Sequence, residues 1–506
     1  MRCWHVLLLL AAAFPSAAAA QDTTTTSSTT GTVLTLSDAL AQARQHSPVY
    51  LQTLNNAGPA SAGVRNAYGQ FIPSVTVGAG LGYTGSGQSQ FGGTLFQQSS
   101  PSYSSSYDIS LGWQLNGQVL TGPALQKAQQ RATTMDIAAA GLDLETTVKT
   151  QYLTALQAVA QVDVARQQLK RDTTFLQIAQ ARYDVGQATL LDVRQAEVGR
   201  DNSEVALLRA EQAANEAKLE LLRQIGVEAP SDVEQLQLRD TFTVSEPDFS
   251  LDQLLSTAAD ANPTLRALQA RADAAGSSLT AAKSEWFPTL SVRAGWSGFT
   301  QQFSNTDILL SNSLGQAQGA FSSCQQDNEI RTRLADPLPP RDCYTASGLQ
   351  PDGTLDPVVA QSILDQNNVF PFHYTRNPFS ASLSLSFPVF NGFGRSLRIA
   401  EARAQREDAD QGVRAQRLLV RSTVQARYLA VRTAYRAIAV QTTARSAARD
   451  QLQLAQDRYR LGSGTALELA DAQNAVQKAE ADYVNAIYDF HKAVAQLEAA
   501  VGRPLR

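Results

Sequence analysis

The sequence is poor in the residues from which enzyme active sites and metal centres are usually built. It has three cysteines and four widely separated histidines: His5, His46, His373 and His491. It contains no cysteine–histidine metal cluster, P-loop or Gly-x-Ser-x-Gly motif. GLGYTG at 80–85 fits a dinucleotide-binding pattern, but no helix follows to hold a pyrophosphate. We therefore expect no enzyme activity, no cofactor and no metal site.

Long hydrophobic runs are also missing after residue 20, so the sequence predicts no transmembrane helix. Before that point, Arg2 is followed by VLLLLAAAF and an alanine run to Ala20. This pattern is typical of a secretory signal peptide, 1–20, cleaved near Gln21. We expect the polar segment 21–33 to be a flexible tail.

The net charge is small, and the mature chain has few cysteines. A net charge of −4 without a basic block argues against a nucleic-acid partner. Cys3 lies in the signal peptide, which leaves Cys324 and Cys343 in the mature protein. In an exported chain these two residues are predicted to form a disulfide, and two free thiols are the alternative.

The sequence does contain an internal repeat. LQIAQARYDVGQATLLDV, from Leu176, and LQLAQDRYRLGSGTALEL, from Leu452, lie 276 residues apart and share 9 of 18 residues. FIPSVTVGAG similarly matches WFPTLSVRAG, and VLTG matches VFNG, in the same order. We interpret the chain as a tandem duplication, with repeats at 34–226 and 250–506 and a linking belt at 227–249.

Each repeat contains two stretches in which apolar residues alternate with serine, glycine or glutamine. This period of two predicts strands with one apolar face, in β-hairpins at about 74–117 and 289–390. The second hairpin has a large external loop, 300–378. A soluble β-sandwich is one interpretation. The opposite face is mostly serine, glycine and glutamine rather than the charged mixture of a soluble sheet, and three tryptophans (Trp113, Trp286 and Trp296) lie in or beside the strands. Both features favour outer-membrane strands.

Four strands are too few for a membrane barrel, which needs about eight and tolerates no open edge in hydrocarbon. Several copies must therefore share one barrel. Two copies would give eight strands and a nearly filled interior, whereas three would give twelve and leave a passage.

Each repeat ends in a long helical hairpin, with tips near 186 and 462. Gly186 and Gly462 lie where left-handed helix caps are needed. Thr189 and Thr465 then begin the return helices as N-caps. We expect each return helix to stack under the leading helix of the other repeat, 189–226 under 250–286 and 465–502 under 37–70.

The duplicated halves, the strand starts FIPSV and WFPTL, FPVFNG at 387–392 and the two tips together resemble the outer-membrane efflux family typified by TolC. The resemblance covers about 34–506. It implies an α+β membrane protein in which four strands per chain form a trimeric 12-stranded β-barrel in outer-membrane lipid. A long α-helical tunnel continues the barrel through the periplasm. The partners implied are a periplasmic adaptor and an inner-membrane pump.

By the same resemblance, four tip residues are candidates for the periplasmic gate and its selectivity: Asp192, Tyr459, Glu468 and Asp471. The tip turns at Gly186, Thr189, Gly462 and Thr465 are candidates for adaptor docking. Asp192 and Glu468 also fit a purely structural role in helix capping. The repeat mate of Asp471 is Gln195, so capping does not explain its charge. Gly464 stands where some relatives carry an arginine that braces the closed tip.

The function predicted is passive, gated export of small molecules through the outer-membrane component of a tripartite efflux pump. A second possibility is the exit duct of a type I protein secretion system. A trimeric coiled-coil adhesin or scaffold belongs to another class, and sustained heptads without alternating strands would favour it.

Overall fold

The computed structural model describes residues 33–91, 94–98 and 101–505. The chain divides into two compact units. The helical unit comprises the chain up to Gln52, Ala140–Asn262 and the chain from Val420. The sheet unit comprises Thr53–Ala139 and Pro263–Leu419. The predicted signal peptide lies outside the described residues, as does the predicted tail up to residue 32. Val33, assigned to the tail, is instead part of a short strand.

The strands are β1 (Val33–Leu34), β2 (Ser74–Thr84), β3 (Gly87–Phe91), β4 (Thr94–Gln98), β5 (Ser102–Leu115), β6 (Gln237–Leu238), β7 (Thr289–Phe303), β8 (Thr375–Arg376) and β9 (Ser380–Ser386). The helices are α1 (Leu36–His46), α2 (Pro48–Asn55), α3 (Ala57–Gly69), α4 (Gly117–Asp184), α5 (Leu190–Ile225), α6 (Leu251–Ala261), α7 (Pro263–Lys283), α8 (Asp307–Thr332), α9 (Cys343–Ser347), α10 (Pro357–Asn367), α11 (Gly394–Arg460) and α12 (Ala466–Val501). Short 3₁₀ turns occupy Val233–Gln235 and Ser284–Trp286. Along these described stretches no helix is both long and apolar enough to cross a bilayer.

The main sheet is antiparallel, in the order β2–β5–β7–β9, and β8 pairs with the far end of β7. Its register aligns the apolar positions of all four strands. Val77 lies opposite Ile109, which lies opposite Trp296, and Val292 lies opposite Leu383. Because side chains alternate along a strand, this register places the apolar residues on one face and the serines and glycines on the other.

The helical unit is built from the two long hairpins, α4–α5 and α11–α12. Its buried cores consist mainly of alanine, valine and leucine, which allow helices to approach closely. The predicted belt packs on one of these cores. Within it, β6 pairs in parallel with β1, and Asp240 accepts hydrogen bonds from Tyr152 Oη (2.5 Å) and the Leu36 amide (2.7 Å).

The predicted stacking of return helices under the opposite repeat is wrong. Gly226, the left-handed cap of α5, lies against His46 of its own repeat, and a Cβ atom there would lie 2.3 Å from the His46 carbonyl oxygen. In the second repeat, Asn262 Nδ2 donates to the carbonyl of Ala500 at the end of α12 (3.0 Å). The β1–β6 pair and the contacts of Asp240 hold α1 beside α5, so stacking occurs within each repeat.

The leading helices are also divided, at Ser47–Pro48 and Asn262–Pro263. A residue before proline avoids the helical conformation, and both Ser47 and Asn262 are extended. The segment predicted as an external loop, 300–378, contains the last residues of β7, helices α8–α10 and β8. A disulfide joins Cys324 of α8 to Cys343, the first residue of α9.

Candidate functional site

The two tips share one backbone design, in which a helix ends in a Schellman motif and a threonine starts the next helix. Gly186 has φ 77° and Gly462 has φ 79°. The amide after each glycine donates to a carbonyl five residues back, from Gln187 to Arg182 (2.7 Å) and from Ser463 to Arg458 (2.9 Å). These bonds satisfy carbonyls that the helix ends leave free, and glycine accepts the positive φ without strain.

The N-caps that follow differ in one respect. At the first tip, Thr189 Oγ1 accepts from the Asp192 amide (3.2 Å) and Asp192 Oδ2 accepts from the Thr189 amide (2.8 Å). This is a complete capping box. At the second tip, Thr465 caps the Glu468 amide (3.2 Å), but the Glu468 carboxylate pairs with Arg458 at 3.7 Å. The Asp192 carboxylate is therefore held in its cap, while the Glu468 carboxylate is not.

A contact between the hairpins joins the two tips. Arg182 Nη1, from the first hairpin, donates to the main-chain carbonyl of Tyr459 in the second (2.5 Å). The Arg182 guanidinium also lies 4.6 Å from the centre of the Tyr459 ring, and Phe175 meets that ring edge-on at 5.4 Å. Tyr459 is only 4% exposed. Arg182 therefore makes two contacts with one buried residue, a charge-assisted hydrogen bond and a cation–π contact.

The environment of Tyr459 keeps its phenol neutral. Burial raises the pKa of Tyr459, Arg182 opposes that rise, and the negative charge of Asp192 adds to it. The buried Tyr459 hydroxyl has no hydrogen-bond partner in the part of the chain described. The Asp192 carboxylate thus caps its own helix and also adds to the raised pKa of Tyr459.

Asp471 has a different setting from the other acidic candidates. Its side chain is exposed. Among residues 33–91, 94–98 and 101–505 it makes no hydrogen bond or ion pair, so its charge is not neutralised by a neighbour. Gln195, the residue at the same place in the first repeat, is exposed as well. At this position the second hairpin therefore carries an unpaired charge, whereas the first carries a neutral amide.

Gly464 lies close to the end of the preceding helix, so a side chain at this position would require its neighbours to shift by a few tenths of an ångström. A Cβ atom there would lie 3.1 Å from both the Arg458 Cβ atom and the Tyr459 amide nitrogen. Here Arg182 reaches Tyr459 from the other hairpin, so the arginine that contacts the second tip does not come from position 464.

Sequence reasoning missed Arg182 and a polar cluster above the tips. Arg182 lies in the repeated Arg-Tyr pair, but Arg458 has the same sequence signal and a different partner. In the cluster, Asp172 accepts from Gln168 Nε2 (2.9 Å) and from Ser203 Oγ. Its repeat mate is Ala448, and this difference between an acid and an alanine at equivalent positions was visible in the sequence. Tyr459 also lines a cavity of about 300 Å³, together with the cationic side chains Lys170, Arg171 and Arg460.

Comparison with known proteins identifies the family. The family described as outer membrane efflux protein matches residues 36–227 and 359–503. The chain belongs to this family. Its members are outer-membrane channels and not enzymes, so the outer-membrane location predicted from the sequence is confirmed.

Solved outer-membrane proteins have the same fold at low sequence identity. The Campylobacter jejuni channel CmeC is 12% identical, with a TM-score of 0.67 over 92% of this chain and 85% of that one. VceC of Vibrio cholerae is 15% identical, with a TM-score of 0.64 over 93% and 97%. The open state of the Neisseria gonorrhoeae channel MtrE is 17% identical, with a TM-score of 0.63 over 93% and 89%.

Proposed function

We propose that three copies of this chain form one outer-membrane exit channel, in which their strands join into a single closed 12-stranded barrel. The observation that supports this most strongly is the sheet. Within the described residues, β2 and β9 each pair on one side only. An unpaired backbone edge is not tolerated in hydrocarbon. Antiparallel pairing of β9 in one copy with β2 in the next removes every edge.

The two faces of the sheet support the same arrangement. Val77 is 72% exposed and Leu383 is 71% exposed, and both lie on the apolar face. In the proposed barrel this face contacts lipid, and the serine and glycine face lines the lumen. Twelve strands leave a passage, whereas eight would be nearly filled by side chains.

Transport through this channel is passive, and its gate is at the helical tips. We assign Tyr459 and Asp471 to the gate, with Arg182 holding Tyr459. Asp192 acts on the gate through its cap and its charge near Tyr459, and Glu468 acts through Arg458. An inner-membrane pump supplies the energy through a periplasmic adaptor, as in a tripartite efflux system for small molecules.

The tips also have a surface suited to the adaptor. Around the turns at Gly186, Thr189, Gly462 and Thr465, five large apolar side chains are exposed: Val185, Leu190, Leu191, Leu461 and Leu467. Leu461 is 83% exposed. Exposed apolar patches of this kind mark surfaces that bind another protein.

The barrel is tested by disulfide cross-linking between β2 and β9. Thr76→Cys is combined in turn with Ser382→Cys, Ser384→Cys and Ser386→Cys, since all four positions lie on the polar face. In the best register, oxidation should link three chains into a covalent trimer on a denaturing, non-reducing gel. Thr76→Cys with Ser297→Cys is the control, because β5 separates these strands beyond disulfide reach. Monomers in every register would refute the closed trimer.

A further inference from the structure

Among the described strands of the main sheet, the polar face carries two charged residues. In β2 this face consists of serine, threonine and glycine, and in β9 it consists of serine. In β5 the charged residue is Asp108, and in β7 it is Arg293. Both side chains are exposed.

The structure makes room for Asp108 with a glycine. Asp108 lies opposite Gly78 of β2, and a Cβ atom on Gly78 would lie 2.2 Å from Asp108 Oδ1. The carboxylate therefore rests over the bare backbone of the neighbouring strand. Two further glycines of β2, Gly80 and Gly82, lie in the same way beside serines of β5. At these positions β2 therefore presents no side chain on the polar face.

Asp108 and Arg293 are too far apart to neutralise each other. Asp108 lies opposite Ser297, and Arg293 is four residues away along the same strand, about 13 Å at the rise of a β-strand. Neither residue forms an ion pair with any residue in the described ranges. Each charge therefore acts on the space in front of the sheet.

We infer that Asp108 and Arg293 determine the ion selectivity of the barrel, separately from the tips. This inference rests on the proposed trimer, in which the polar face lines the lumen. Threefold symmetry then gives one ring of three carboxylates and, at another height, one ring of three guanidinium groups. Charged rings of this kind set selectivity in pores, and substitutions facing a barrel lumen change it.

Reversal potentials in planar bilayers test the inference. At 0.1 M salt, three charges about 10 Å from the axis change the local ion concentration about twofold. Because a carboxylate ring enriches K⁺ and depletes Cl⁻ by this factor each, Asp108→Asn should lower the K⁺/Cl⁻ permeability ratio about fourfold, and Arg293→Gln should raise it by a similar factor. Combining both changes should restore a value near wild type. At about 1 M salt the differences should vanish, because the Debye length is then about 3 Å.

Two variants serve as controls. Asp108→Glu keeps the charge and should keep the wild-type ratio, and Ser110→Asn adds an amide on the same strand and face without charge. As a second measurement, Asp108→Cys in formed channels should regain cation preference with a negatively charged thiol reagent and lose it further with a positively charged one.

The outcomes separate this inference from the proposed function. If wild type forms cross-linked trimers and conducting channels, but charge changes at 108 and 293 leave the ratio unchanged, the selectivity role is wrong and the channel stands. If wild type forms neither trimers nor channels, the proposed function itself fails.

Discussion

The two hairpin tips have the same backbone and different side-chain partners. Gly186 and Gly462 end their helices with matching hydrogen bonds, and Thr189 and Thr465 start the next helices. The paired arginines diverge: Arg182 crosses to Tyr459 of the other hairpin, while Arg458 pairs with Glu468 of its own. The backbone of a tip is determined locally, whereas the partners of its side chains depend on contacts between the two repeats.

The tyrosines that follow these arginines show the consequence. Tyr459 is buried between the hairpins, and its repeat mate Tyr183 is 40% exposed. The duplication therefore provided two equal turns, and later sequence divergence made one of them the partner in a contact between hairpins. Each prediction below compares a residue with its repeat mate.

Arg182→Gln should have the largest effect, because it removes both contacts with Tyr459. A hydrogen bond to a charged group contributes about 1.5–3 kcal/mol, so the ratio of open to closed channels should rise roughly tenfold to hundredfold. The measurement is open probability in planar bilayers. Arg458→Gln, the matched control, should change it much less. Equal effects of the two variants would contradict the asymmetry between the tips.

Asp471→Asn should weaken block by multivalent cations added from the periplasmic side. A ring of unpaired carboxylates in a narrow mouth concentrates cations about tenfold or more, so the blocking concentration should rise by a similar factor. Glu468→Gln should have less effect, since Arg458 already pairs with that carboxylate.

The repeat mate sharpens this test. Gln195→Asp, placed in an Asp471→Asn background, should restore part of the block if both return helices face the lumen. Unchanged block in a variant lacking both Asp471 and Glu468 carboxylates would show that these groups face away from the passage.

Gly186→Ala and Gly462→Ala should each destabilise their own tip by about 1 kcal/mol. The cost arises because a Cβ atom is unfavourable at positive φ. Hydrogen exchange of the tip amides, followed by mass spectrometry, measures this local stability. The two costs should be similar, because the caps are local. Acceleration of exchange at both tips by a single substitution would instead show that the caps depend on contact between the hairpins.

Asp172→Asn should have the smallest effect and should stabilise α4 slightly at neutral pH. Burial raises the pKa of Asp172, against the hydrogen bonds from Ser203 and Gln168 and the charge of Arg171. Because the folded pKa lies above the unfolded one, the stability contributed by the protonated acid is present at low pH. It is lost as pH rises through the folded pKa.

Hydrogen exchange of α4 near Asp172, measured against pH, checks this sign. At pH 7 the variant should exchange more slowly than wild type, with a difference in local stability of less than about 1 kcal/mol. At low pH the two proteins should exchange at the same rate. Faster exchange in the variant at pH 7 would mean that the ionised carboxylate stabilises the cluster. The repeat mate, Ala448, is a buried alanine and has no titratable group, so its burial does not depend on pH.

Features set by neighbouring residues were predictable from the sequence, and contacts between distant segments were not. The alternation around Val77 and Trp296 predicted strands, and the Gly and Thr pairs predicted the tip turns. The stacking of Gly226 on His46 depends on how the belt returns to β1, which no local pattern records. The contact of Arg182 with Tyr459 was hidden because both repeats contain the same Arg-Tyr pair.

The insert between β7 and β9 was missed for a related reason. Helices α8–α10 lie in one repeat only, so the duplication gave no second copy with which to compare them. Serine, glycine and glutamine are frequent in α8, and its sequence has no clear apolar stripe. Its disulfide was predictable because only two cysteines remain after the signal peptide.

The mass of the purified protein in detergent tests the central claim most directly. Native mass spectrometry of the wild-type complex should give three times the mass of the mature chain, because four strands in one copy leave two edges that lipid does not tolerate. A stable monomer that dissolves in water without detergent would contradict the account.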